Sequence, residues 1–165
     1  MTRHIYRCPL RWSDMDTFGH VNNAVYFRYL EEARIDLTFR LAPGEGDGSF
    51  SGGSVVARHE IDYLRPLLHS YEPVTVETWV EKMGAASITY AYEIKDAERV
   101  YARATSVVVP YNMAEQRPRR LTPAERKFLD AYRDDGADRD DGDNPDSDNP
   151  DGDPDGGRPG EAVAA

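Results

Sequence analysis

The chain has 165 residues and a formal net charge of −10, with 39% hydrophobic and 30% charged residues, a length that suits one globular domain and not two. The charge is lopsided: residues 134–165 carry 12 Asp or Glu against Arg139 and Arg158, so the 18 acids and 18 bases left in residues 1–133 cancel. Arg117, Arg119 and Arg120 form the only basic cluster, too small for a nucleic-acid footprint, and the single cysteine, Cys8, excludes an intrachain disulfide and a cysteine-rich zinc site.

Residues 1–12 lack the apolar run of a signal peptide, and no stretch approaches the roughly 20 apolar residues of a membrane span, so a soluble, cytoplasmic protein is expected. Residues 5–12 are a short strand candidate. From 23 to about 41 the pattern turns helical, with Tyr26, Leu30, Ala33 and Leu37 at spacings of 4, 3 and 4 and Phe27 beside them. Aromatic residues on both flanks predict a helix wrapped by a sheet.

Between 54 and 110 the period falls to two in segments rich in Val, Ile, Tyr and Thr. Val55, Ala57, His59, Ile61 and Tyr63 share one face, and Val74, Val76, Thr78 and Val80 another. Ile88, Tyr90, Tyr92 and Ile94 alternate with their neighbours, as do Ala102, Ala104, Ser106 and Val108. Turn chemistry at Arg65-Pro66, Glu72-Pro73, Met83-Gly84 and around Asp96 separates four strands whose short connections imply an antiparallel sheet. His59 is assigned to the opposite strand face, as ordinary surface or interface, and Tyr90 and Tyr92 to the core. Thr122-Pro123-Ala124-Glu125 has the parts of a capping box and starts a helix over 123–133. Beyond it, the Asp, Gly, Pro and Asn run of 134–165 holds no large apolar residue and is expected to be a disordered acidic tail, lacking the flanking helices and closing Glu of a calcium loop.

The densest run of functional side chains is Asp14-Met15-Asp16-Thr17-Phe18-Gly19-His20-Val21-Asn22-Asn23, between the first strand and the long helix. Thioester hydrolysis needs a carboxylate that attacks or activates water and a donor for the oxyanion. Asp16 offers the first, and the free N–H groups at the start of the helix, near residues 22–24, offer the second. Asp14 reads as a structural turn residue, Asn22 or Asn23 as the helix cap, and His20 as a hydrogen-bonding residue that lines the pocket. Asp14, Asp16 and His20 come from one turn, which is a poor metal-ligand set, and no glycine-flanked serine elbow occurs.

The run Arg11 to Asn23, followed by Tyr26-Phe27-Arg28-Tyr29-Leu30-Glu31, resembles the acyl-CoA thioesterases of the hotdog fold, the 4-hydroxybenzoyl-CoA thioesterase-like group; Gly-His-Val-Asn-Asn is closest to its general acyl-CoA hydrolase branch. Ile61 to Leu67 and Met83 to Ile88 are further matches, and the resemblance covers about residues 3–120. It implies an α+β hotdog fold: one long helix wrapped by a five-stranded antiparallel sheet, in a domain over 1–133. It implies hydrolysis of acyl-CoA by Asp16 as nucleophile or general base, with no metal or organic cofactor. A backbone donor near Asn23 follows from the same resemblance, and so does a homodimer or homotetramer with the site at the subunit interface. The residues themselves offer His20, Asn22, Asn23 and Tyr26 as substrate contacts, and Arg65 with the Arg117, Arg119 and Arg120 cluster as candidate contacts to the CoA phosphates. A hotdog hydratase or dehydratase using His20 with Asp16, and a non-catalytic acyl-CoA-binding module, remain open alternatives.

Overall fold

The computed structural model of the protein describes residues 2–42, 50 and 53–134. Strand β1 (His4–Cys8) stops short of the expected residue 12, because Pro9 has no N–H to continue the ladder. A 3₁₀ turn, Trp12–Asp14, follows, and then helix α1 (Asn23–Ile35). The helical path goes on as a π turn through Asp36–Arg40, where the Thr38 hydroxyl donates to the Arg34 carbonyl. Strands β2 (Ser54–Tyr63), β3 (Val74–Met83), β4 (Ile88–Lys95) and β5 (Val100–Asn112) come next, then a two-residue strand β6 (Arg117–Pro118) and helix α2 (Pro123–Asp130).

The sheet is antiparallel in the order β1-β3-β4-β5-β2, with β6 pairing the end of β5. It curls over α1, whose buried side carries Tyr26, Tyr29, Leu30 and Ala33, while Ile35 and Phe39 remain exposed on the far side. Val76, Val80, Ile88, Tyr90, Tyr92 and Ile94 face the helix and are almost fully buried. Burying such side chains contributes about 1.5–3 kcal/mol each, and the alternation read from the sequence selects which face receives them. This is the hotdog arrangement.

The face assigned to β2 is altered by a bulge between Val56 and Arg58. His59, Ile61 and Tyr63 pair with Ser106, Ala104 and Ala102 of the inner face, and beyond the bulge Val56, not Val55, pairs with the inner Val108. An extra residue in one strand reverses the alternation, which a period-two reading cannot anticipate. His59 therefore lies on the inner face, at the open edge of the sheet.

Helix α2 has the expected start: Glu125 N–H donates to Thr122 Oγ1 at 3.1 Å, and Thr122 N–H donates to Glu125 Oε2 at 2.8 Å. It ends at Asp130, three residues early. The chain then turns back to the free edge of β3, where Val80 N–H donates to the Tyr132 carbonyl and Asp134 N–H donates to the Val80 carbonyl. Asp134, the first residue of the expected tail, thus belongs to the fold and also accepts from Arg3; residues 135–165, the rest of the expected acidic tail, lie outside the described residues.

Candidate active site

The segment 14–23 is tied down on three sides. Asp14 is 3% exposed, and its Oδ2 accepts from Arg11 N–H at 2.9 Å and from the Tyr29 hydroxyl at 2.7 Å, so a buried carboxylate joins the loop to the second turn of α1. The Asn22 N–H donates to the Asp14 carbonyl and the Val21 N–H to the Leu67 carbonyl, while His20 bridges to Leu68 in the connection after β2. Gly19 closes the turn at φ +82°, in the left-handed region where a side chain would be strained. Asp14 is structural, as its sequence context indicates.

Asp16 is held differently. Its Oδ1 accepts from the Phe18 N–H at 2.8 Å, a local turn bond, and its Oδ2 lies 3.4 Å from His20 Nδ1. The turn role and a chemical role are compatible here: one oxygen is committed to the backbone, and the other faces the partly exposed imidazole. Asn22 is the helix cap, its Oδ1 accepting from Ala24 N–H at 2.9 Å. The N–H of Asn23, first residue of α1, has no carbonyl a turn earlier to receive it, so it is available to a ligand oxygen at the positive end of the helix dipole.

Asp16, His20, Asn22 and Asn23 thus share one loop and helix start. Tyr26 lies beneath them, 2% exposed, its ring 5.1 Å from Tyr63 and 6.3 Å from Tyr29; burial pushes its phenol up. Arg65 stands apart on the exposed connection after β2, with Nη1 donating to the Val100 carbonyl at 3.1 Å. Arg119, from the basic cluster, is committed to Glu125 through two bonds of 2.7 and 2.9 Å. Cys8 is buried, and desolvation foremost, with Asp14 nearby, pushes its thiol up to about 12, so it supplies no thiolate nucleophile at neutral pH.

Two features escaped the sequence reading. Tyr63, placed there only as a strand residue, donates its hydroxyl to the Asn23 carbonyl at 2.9 Å and so braces the first turn of α1. Trp12 stacks on His69 with centroids 3.9 Å apart, bringing an exposed aromatic pair beside the motif. Neither has a periodic signal, since each contact joins segments far apart in the chain. Among the described residues no group of three or more His, Cys, Asp or Glu side chains is gathered to hold a metal.

A model of the thioesterase-like superfamily matches residues 10–131. Among solved structures, a thioesterase from Thermus thermophilus complexed with coenzyme A and zinc is 34% identical, covers 78% of this chain and 92% of its own, and superposes with a TM-score of 0.66. A predicted thioesterase from Bacillus stearothermophilus is 27% identical, with coverages of 79% and 96% and a TM-score of 0.68. The uncharacterized protein YsmA of Bacillus subtilis (strain 168) is 34% identical over 87 residues, 52% of this chain and 56% of YsmA, so the chain spans just over half the length of that curated relative.

Proposed function

From the premise that the chain belongs to the thioesterase-like superfamily, we propose that it hydrolyses acyl-CoA thioesters to free CoA and a carboxylic acid, with Asp16 as the reacting carboxylate. The observation that carries this reading is the placement of Asp16 in the turn just before a helix start with an available N–H at Asn23. A thioester carbonyl oxygen set against that N–H is polarised by it and by the helix dipole, which stabilise the oxyanion as it forms.

Two routes use the same atoms. As nucleophile, Asp16 Oδ2 bonds to the acyl carbon, the C–S bond breaks to release the CoA thiolate, and water then opens the mixed anhydride. As general base, Asp16 takes a proton from water, the resulting hydroxide adds to the acyl carbon, and the departing thiolate recovers the proton. His20, 3.4 Å from Asp16, orients the carboxylate and can donate to it. That same pair supports the second reading, a hydratase acting on the acyl chain, in which the thioester survives. CoA as the thiol carrier is supported by the CoA-bound relative from Thermus thermophilus.

The decisive assay follows thiol release from a series of acyl-CoAs, with and without a chelator. Free thiol at a rate indifferent to the chelator is expected. Loss of the rate on chelation with recovery on zinc would show a metal-dependent reaction, and a hydrated acyl chain still joined to CoA would establish the second reading.

Strand β2 supplies the reason to expect oligomers. It is a ten-residue edge strand, exposed on both faces except at Ile61, with Val55, Val56 and Tyr63 open to solvent. A long apolar edge of this kind pairs with another strand unless protected, and a second copy related by a two-fold axis would continue the sheet β2 to β2. Light scattering is expected to give at least twice the 18.6 kDa chain mass. Val56→Pro, on the strand that would make this contact, is expected to shift the mass toward that of one chain. A monomeric wild type would end this part of the reading. A cytoplasmic place of action is consistent with the free Cys8, and among the described residues no helix is long and apolar enough to cross a membrane.

A further inference from the structure

Arg34 is a buried cation that forms no ion pair among the described residues. It retains 9% of its surface, its Nη1 has no hydrogen-bond partner there, and the groups that feel its charge are Tyr90, Tyr92 and His59, none of them anionic at neutral pH. Buried charges are ordinarily paired, because an unpaired one gives up its hydration with nothing to replace it. The Tyr92 hydroxyl beside it is likewise buried; Arg34 and Ser106 are both near enough to favour its ionised form, yet neither completes a well-formed hydrogen bond to it. The Ser106 hydroxyl meets His59 Nδ1 at 2.8 Å, and the His59 ring lies 5.0 Å from Phe27. Three kinds of hydrogen-bond donor therefore converge on one spot; Glu31 acts on His59 and Glu125 on Tyr90 through space, but among the described residues no carboxylate bonds Arg34.

The location gives the cluster a role. Asn23, Phe27 and Arg34 fall within about 40° of one another around α1, and Arg34 lies about 16 Å along the axis from Asn23 with its side chain leaning back toward the N-terminus. At the other end of this stripe Tyr63 meets Asn23; in between, His59 meets Phe27. The inner face of β5 opposite carries the small residues Ala102 and Ala104, and β2 is open beside it. The line along α1 beside β2 thus leads from the Asp16 end of the helix to Arg34, on the order of 10 Å away once the reach of the arginine is allowed for.

We infer that the Arg34, Tyr92 and Ser106–His59 cluster receives a carboxylate at the far end of the acyl group, so that the preferred substrates are acyl thioesters terminating in a second carboxylate. This rests on the thioester-hydrolysis reading for the chemistry but not for the binding. A guanidinium takes a carboxylate in two parallel hydrogen bonds, and adjacent hydroxyls donate to the remaining lone pairs. A methyl terminus at the same place leaves every one of these donors unpaired, the situation in which polar pockets discriminate most strongly.

The test compares adipyl-CoA with hexanoyl-CoA and suberyl-CoA with octanoyl-CoA, pairs that differ in the terminal group. The wild type is expected to favour the carboxyl-ended member in kcat/KM by about tenfold or more, and Arg34→Met to bring the ratio toward one. Tyr92→Phe, which keeps the ring and removes only the hydroxyl, should lower the ratio as well and serves if the arginine variant does not fold. Equal or faster hydrolysis of the methyl-ended members by the wild type overturns the inference. If no acyl-CoA releases thiol, the hydrolysis reading fails, and binding of the intact thioesters decides the inference: suberyl-CoA should raise the Tm of the wild type by more than octanoyl-CoA does, and an equal response to the two overturns it.

Discussion

Asp16→Asn is expected to lower kcat by ~10²–10⁴-fold, the usual contribution of a group that transfers a proton in the transition state, with KM and Tm near their wild-type values. The separation of effects follows from the two oxygens of Asp16. An asparagine can still present its oxygen to the Phe18 N–H, which now bonds Oδ1 at 2.8 Å, so the turn survives; what disappears is the charged oxygen that faces His20 and would face the acyl carbon or its water. Asp14→Asn should show the opposite pattern. Asp14 is buried and accepts from Arg11 and Tyr29 through the same oxygen, so removing its charge weakens two charge-assisted bonds and costs about 1–3 kcal/mol of stability, read as a lower denaturation midpoint. Should Asp16→Asn keep more than about a tenth of the wild-type rate, a barrier change below roughly 1.4 kcal/mol, while Asp14→Asn is dead but folded, the roles are reversed. Abolition of turnover by His20→Ala alone would move the hydratase reading to first place.

Glu125→Ala is expected to destabilise the fold by about 3–5 kcal/mol, the range for breaking a buried ion pair by removing one partner. Glu125 is fully buried. It holds Arg119 through two hydrogen bonds and closes the capping box with Thr122, so its loss strands a guanidinium and opens the first turn of α2. Urea denaturation of the two proteins at neutral pH gives the difference directly. Burial alone would raise the Glu125 carboxyl, but the Arg119 guanidinium and the Thr122 donors outweigh it and hold the group below its ordinary value of 4.5. A carboxylate lowered on folding adds stability that is fully present above its unfolded value and disappears as pH falls through the folded one. The stability gap between the wild type and Glu125→Gln should therefore be constant from pH 7 to about 5.5 and close progressively below about 4.5. A gap that widens on acidification would show that the pair with Arg119 is not formed in solution.

The elements were legible wherever a local pattern carries its own physical reason. Val74 to Val80 and Ile88 to Ile94 alternate because one face of their strands meets the core, and the structure buries the faces so assigned. Thr122 and Glu125 are a capping box because both bonds span three residues, and both form. Errors arose where a partner distant in the chain intervenes. The bulge after Val56 depends on the register of β2 against β5 and sends His59 inward to Ser106. Helix α2 stops at Asp130 because the following residues find the unpaired edge of β3 beyond the end of β1. Arg119 looks like a surface cation in a basic cluster until Glu125 is seen beneath it.

The site divides along the same line. The amino-acid sequence by itself determined that Asp16 and the start of a helix are neighbours, since both lie within one ten-residue segment, and that Asn22 can cap that helix, since capping bonds are local. It also determined the fold class, because period and turn chemistry are properties of consecutive residues. Only the tertiary structure decided that Asp14 is buried against Tyr29 while the Oδ2 of its near-twin Asp16 faces His20, that Tyr63 braces the helix start, and that Arg34 is buried with no ion pair among the described residues. Burial and electrostatic isolation depend on which distant segments pack together, and two aspartates a residue apart differ in nothing else.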